Sequence, residues 1–375
     1  MSGWRAARLG EVLESVRRPV AIRPGELYET LGLRWYGAGC FVKSGTPVKA
    51  KTMNRVSEGD VVYSKLFAWK GSFGVVSEAE AGAVASTEFP TFRSNEDHLL
   101  PGYFAFWSGR SEVWDEADAL STGTTGNSRN RLSPEAFLDL EIHLPPLAEQ
   151  LRMVRVVDGI RRATAAVRVE AATAEAVARA LYLDAIGSGD TAEALFEDFA
   201  SLDVDYVVVA EDSYYRVAGV AIAGGGLFWQ PTLRGADTRY AKLHRLTSGS
   251  LVYRKLTAWE GPIAVVPSEF EGAVVSPEFP TLKVDRELID LDFLSFLCRQ
   301  PALHAEMRAN STGTAERRNR LKPADLLQVS IDLPSRQRQR EIGAVARLSQ
   351  TLMGEASAYD ALASATRESY LSSAA

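Results

Sequence analysis

Between residues 149 and 183, apolar or small side chains recur at alternating steps of four and three: Met153, Val157, Ile160, Thr164, Val167, Ala171, Ala174, Ala178, Leu181. This is a heptad seam about five repeats long. It predicts one continuous helix of roughly 50 Å, at 1.5 Å per residue, stopped by Gly187-Ser188-Gly189. Its alanines permit close approach of a second helix. A rougher seam follows Pro334, through Val345, Leu348, Leu352, Tyr359, Leu362 and Thr366, and this second tail is the expected partner. The alternative is that each tail folds back onto its own domain.

Upstream of each tail the period changes. The stretches 31–42, LGLRWYGAGCFV, and 217–230, VAGVAIAGGGLFWQ, are strand-like and interrupted by glycine, as suits a curved sheet with bulges. Short β-branched runs then alternate with Gly and Pro turns. Residues 63–91 and 253–281 are identical at sixteen of twenty-nine positions, at a constant offset of 190. The chain is therefore an internal duplication. Both copies continue into an apolar, aromatic-rich helix, PGYFAFWSGRSEVWDEA from 101 and LDFLSFLCRQPALHAEM from 291. Helix over a small β meander gives an α+β domain, twice.

Length agrees, since 375 residues exceed what one core usually serves. No apolar run approaches the roughly 20 residues of a membrane span. The two cysteines suggest no disulfide framework and the N-terminal segment no signal peptide, so a cytoplasmic location is expected. A net charge of -6 argues against a generally basic nucleic-acid coat, but charge is unevenly placed. Residues 43–70 carry Lys43, Lys49, Lys51, Arg55, Lys65 and Lys70 against Glu58 and Asp60; residues 234–255 carry Arg234, Arg239, Lys242, Arg245, Arg254 and Lys255 against Asp237. These are two candidate DNA-binding faces.

Catalytic patterns are missing from the sequence. There is no Gly-Lys dipeptide for a phosphate-binding loop, no Glu-X-Lys triplet of a metal-dependent nuclease, and no Asn-Pro-Pro-aromatic element of an amino-methyltransferase. The four histidines show no ligand spacing, so no metal site is expected, and His143 reads as a satisfied near-core residue. What recurs is binding chemistry. Lys65 and Lys255 each precede a tryptophan, Trp69 or Trp259, which could pack against sugar or base or could anchor the meander core. The loops STGTTGNSRNRL at 121–132 and STGTAERRNRL at 311–321 supply Ser121, Thr122, Gly123, Thr124, Arg129 and Arg131, and Ser311, Thr312, Gly313, Thr314, Arg318 and Arg320. Hydroxyls, amides and guanidiniums suit phosphate. The same residues, standing just before each tail, could equally be the junction between domain and helix.

The block GDVVYSKLFAWKGSFGVV at 59–76, the STEF and SPEF elements at 86 and 276, the loop at 121–132 and LPPLAEQLRMV at 144–154 together resemble the specificity subunit of type I restriction-modification systems. The last block is altered in the second copy to LPSRQRQREIG. The resemblance implies two tandem target recognition domains, 1–147 and 189–335, separated by an antiparallel coiled-coil pair, 148–188 and 336–375, with pseudo-twofold symmetry. It implies a non-catalytic subunit that binds a bipartite site on double-stranded DNA and positions two methyltransferase subunits, with restriction or translocase subunits in the full complex. No cofactor is expected in this chain; S-adenosylmethionine would belong to the methyltransferase. Because the basic stretches differ, an asymmetric target is expected. A duplicated β-domain that binds protein or carbohydrate is the alternative.

Overall fold

The computed structural model describes residues 4–123, 130–312 and 319–372. The duplicated β-rich stretch forms the same sheet twice. In the first copy Leu13–Ser15, Thr91–Ser94, Val61–Tyr63 and Phe73–Val75 pair in that order, all antiparallel; in the second, Ala200–Leu202, Leu282 and its neighbours in Thr281–Val284, Leu251–Tyr253 and Ile263–Val265 repeat the order. The turns before Val61–Tyr63 and Phe73–Val75 carry glycines at positive φ, Gly59 and Gly71, and those before Leu251–Tyr253 and Ile263–Val265 carry Gly249 and Gly261.

The aromatic-rich stretch after each sheet is two helices rather than the one expected. They are α1 (Pro101–Trp107) and α2 (Ser111–Ala119), with α3 (Pro134–Leu138) after the loop. The physical reason is a second start signal within the stretch. In the other copy Pro301 stands at the first position of its helix, where its missing N–H costs nothing; in the first copy Gly109 stands between the helices. Tyr103, Phe104, Phe106 and Trp107 of α1 and Phe137 of α3 are buried against the sheet, with Tyr63 stacked 4.2 Å from Phe137. At full burial each such ring contributes about 1.5–3 kcal/mol.

The central helix α4 spans Leu147–Ser188, 42 residues, or roughly 63 Å at 1.5 Å per residue. Gly189 ends it at φ 74°. After α5 (Phe196–Phe199), the second copy supplies α6 (Leu291–Leu297), α7 (Pro301–Ala309) and α8 (Pro323–Leu327), then α9 (Arg336–Ser372). The termini of each β region are also paired, Arg5–Arg8 with Glu141–Leu144 and Thr191–Leu195 with Ser330–Pro334.

The chain divides into two compact units, one of Met1–Thr164 with Ala358–Ala375, the other Ala165–Ser357. Each contains one β-rich copy with a segment of α4 and a segment of α9. In the second unit the two helices touch where the Ser349 hydroxyl donates to the Ala171 carbonyl, 2.9 Å. In the first, the Arg152 guanidinium lies 5.3 Å over the Tyr370 ring. In the second unit Arg338 of α9 also pairs with Asp184 of α4, 2.6 Å, while Ser349 meets Ala171, so residue order along the two helices is reversed and the pair is antiparallel in that unit.

The seam expected on α4 is the buried one: Met153, Val157, Thr164, Ala171, Ala174 and Ala178 are buried. That on α9 is displaced. Leu348, Tyr359 and Leu362 are exposed, and Ile342, Ala346, Ser349 and Ala356 are buried instead. Close approach of an alanine-lined helix leaves room for alanine and serine opposite and pushes leucine outward.

The second sheet of each copy is less alike. The first unit has five strands, in the order Pro19–Ala21, Thr52–Arg55, Val84–Ala85, Leu27–Leu33, Cys40–Pro47, with a bulge between Tyr28 and Thr30. In the second unit the corresponding strands fall into a three-stranded sheet and two two-stranded sheets, one of them the hairpin Ala218–Val220 with Leu227–Trp229.

Candidate nucleic-acid interface

The repeated loops are pinned at their described ends by one framework in both units. The fully buried Tyr63 hydroxyl donates to the Leu132 carbonyl, 3.0 Å, and Tyr253 does the same to Leu321, 3.0 Å. Burial pushes both phenols well above their usual range. The Lys65 carbonyl accepts from Leu132 N–H while its own N–H donates to Glu88; Lys255, Leu321 and Glu278 repeat this. Thr122 exchanges two backbone bonds with Arg131, and Thr312 with Arg320. Ser121 and Ser311 close the preceding helices by donating to Ala117 and Met307. Thr124, Arg129, Gly313, Thr314 and Arg318 lie outside the described residues; Gly123 is exposed.

Two acids that the sequence reading did not single out complete the framework. Arg131 pairs with Glu88 at 3.1 Å and Arg320 with Glu278 at 3.2 Å, both arginines half exposed. Glu88 Oε2 and Glu278 Oε2 are buried without a hydrogen-bond partner among the described residues; the Arg131 approach to Oε2 is an ion pair without hydrogen-bond alignment. The available signal was the recurrence of both Glu-Phe-Pro-Thr and Arg-Asn-Arg-Leu, which shows two fixed elements but not that they meet.

Each β-rich copy is joined to its long helix by a buried glutamine. Gln150, fully buried on α4, donates to the carbonyls of His98 (2.8 Å) and Pro145 (2.9 Å) and accepts from Leu100 N–H (3.0 Å). Gln339 on α9 repeats this with Pro334 (2.9 Å), Leu288 (3.5 Å) and Asp290 N–H (2.9 Å). The described ends of the loops make no hydrogen bond to either long helix. His143 is exposed on its strand, 3.6 Å from Glu141, not near-core as expected, because strand alternation turns its side chain outward between buried Ile142 and Leu144.

The cations of 43–70 are not brought into one patch. Lys43, Lys49, Lys51 and Arg55 are exposed on the five-stranded sheet and its connections. Lys43 and Arg55 stand three strands apart, about 14 Å at the usual strand spacing. Lys65 and Lys70 are half-buried in the turn between Val61–Tyr63 and Phe73–Val75 of the other sheet. None of the six has an ion-pair partner among the described residues. In the second unit Arg239, Lys242 and Lys255 are likewise without one, but Arg234 pairs with Asp212 (3.5 Å), Arg245 with Asp205 (3.4 Å), and Arg254 with Glu260 (2.6 Å). Arg254 is moreover fixed by Thr257 and the Leu256 carbonyl. Trp69 and Trp259 are both half-buried; Lys70 lies 4.8 Å over one and Arg308 5.2 Å over the other. Among the described residues no group of three His, Cys, Asp or Glu could hold a metal, and no helix is long and apolar enough to cross a membrane.

The family model described as the type I restriction modification DNA specificity domain matches residues 1–170. No curated protein matches the chain. Among solved structures, the type I restriction-modification S subunit from M. genitalium is similar over 97% of this chain and 95% of its own, with 13% identity and a TM-score of 0.59. The HsdS subunit from Thermoanaerobacter tengcongensis covers 100% and 96% with 17% identity, but its TM-score of 0.37 carries no structural argument. Residues 1–170 thus match the family model of the type I restriction modification DNA specificity domain, and over nearly its whole length the chain has the fold of the type I restriction-modification S subunit.

Proposed function

We propose that the chain recognises a bipartite, asymmetric site on double-stranded DNA, one half per unit, and positions two methyltransferase subunits on it, with restriction or translocase subunits in the complete assembly. The chain itself catalyses nothing, and S-adenosylmethionine is bound by the methyltransferase. The observation that carries this reading is one loop framework, Tyr63–Leu132 with Glu88–Arg131 and Tyr253–Leu321 with Glu278–Arg320, built twice in units whose cations differ. A fixed frame with changed surface charge is what two half-sites of different sequence require, since phosphate contacts position a protein and base contacts specify.

Salt distinguishes DNA recognition from protein or carbohydrate binding. Affinity of the purified chain for duplex DNA should fall as a power of salt concentration, with a slope of about -0.9 per phosphate contacted. Lys43→Ala and Lys49→Ala should each reduce that slope by about one. Binding indifferent to salt, or preferring a glycan, would remove the DNA reading.

A further inference from the structure

One hairpin tip has the same backbone in both units and entirely different side chains. Tyr36 and Ala223 occupy corresponding positions at φ 58° and 54°. Tyr36 N–H donates to the Lys70 carbonyl and Ala223 N–H to that of Glu260, both at 2.7 Å; Gly37 and Gly224 then donate to Gly71 and Gly261. Both tips seat on the turn between the first two helices of their copy, where only glycine fits. A Cβ on Gly37 would lie 2.8 Å from Gly109 Cα, and one on Gly224 would collide with the Cys298 carbonyl.

On this shared frame the first unit carries Trp35, Tyr36, Phe67 and Lys70 where the second carries Ile222, Ala223, Thr257 and Glu260. Trp35, Tyr36 and Phe67 are 43%, 63% and 39% exposed. Trp35 lies 5.7 Å from Phe67 and 6.4 Å, edge-on, from Tyr36, and Lys70 Nζ stands 3.8 Å over the Trp35 ring. A bulky residue at positive φ is strained. Ala223 shows that the turn forms without the ring, so the Tyr36 side chain is not what holds the frame.

We infer that the Trp35-Tyr36 tip, with Phe67 and Lys70, is a base-stacking element that reads the half-site of the first unit, and that the second unit reads its half without stacking at this place. The inference rests on the DNA-binding reading above and names the contact. Three partly exposed aromatic side chains, with Tyr36 backed by Trp114 at 5.8 Å and an ammonium without an acid partner beside Trp35, suit unpaired or partly unstacked bases with an adjoining phosphate. The position favours DNA over a protein partner. Lys70 closes the turn that opens at Lys65, and the Lys65 carbonyl holds Leu132 at the end of the candidate loop. In the second unit the corresponding acid, Glu260, is neutralised by Arg254 at 2.6 Å, and no aromatic stands at the tip.

The test is selection by the purified full-length chain from duplexes containing about 30 randomised base pairs, enough for two half-sites more than one helical turn apart. The variant Trp35→Ile/Tyr36→Ala carries the pair already seated on this backbone in the second unit, and an unchanged melting temperature confirms folding. It should retain one half-motif intact and lose discrimination about tenfold at one or two positions of the other, with the salt slope unchanged. An identical motif with unchanged enrichment overturns the inference, as does equal loss of both halves at unchanged melting temperature. A variant that keeps its motif but no longer assembles with methyltransferase subunits overturns it too, and makes the tip a protein contact. Failure of the unaltered chain to enrich any motif overturns the DNA-binding reading itself.

Discussion

At the scale of single residues, buried polar groups that repeat between the copies carry the sharpest expectations. Gln150 satisfies three backbone groups inside the first unit. Replacing it with alanine strands two carbonyls and an N–H, so Gln150→Ala should destabilise by about 2 kcal/mol or more, read as a lower urea midpoint of the first unit's transition. Tyr63→Phe, which strands only the Leu132 carbonyl, should cost about 1 kcal/mol. Alkali supplies a second test. Burial raises the Cys40 and Cys298 thiols from 9.0 to about 12, so the folded chain keeps protons that the unfolded chain releases. Their contribution is complete below pH 9 and is lost as pH rises towards 12. Urea midpoints measured from pH 8 to 11 should therefore fall, and fall less steeply in Cys298→Ala. These partnerships were not legible in the sequence: Gln150 and Gln339 are polar residues at the start of helices, and only the fold reveals that each turns inward. The repeated Tyr, Lys and Arg could be read, but not that Glu88 and Glu278 close the frame, because the meeting of distant segments leaves no local signature.

At the scale of elements, the long helices show where periodicity suffices and where it misleads. Met153 and Val157 are large and buried, so the α4 seam stands out. On α9 the bulkiest apolar residues lie off the seam, because the facing alanines admit only small side chains. Leu348→Ala should then change stability by no more than about 0.5 kcal/mol, whereas Ala346→Leu should overpack the contact and cost about 1–3 kcal/mol. Thermal or urea unfolding of the two variants separates the registers, and the opposite ranking would restore the leucine seam. The strands were legible from alternating β-branched runs and glycine turns, but their order was not: a meander was expected, and Thr91–Ser94 instead lies between the non-consecutive Leu13–Ser15 and Val61–Tyr63. The pairing of Arg5–Arg8 with Glu141–Leu144 was not, since two short strands 130 or more residues apart have no pattern linking them.

At the scale of the whole molecule, duplication was legible from the offset of 190 alone, and the α+β class followed. What the duplication means depends on how the copies differ. The first unit leaves its six sequence-selected cations without acid partners among the described residues; the second pairs three of its six. Equal frames and unequal surfaces predict unequal half-sites. The most direct test is co-expression of the chain with candidate type I methyltransferase subunits, followed by mapping of modified bases across the host DNA. The account predicts a single split motif with two different half-sequences at a fixed spacing. Identical half-sites, or no modification that depends on this chain, would contradict it.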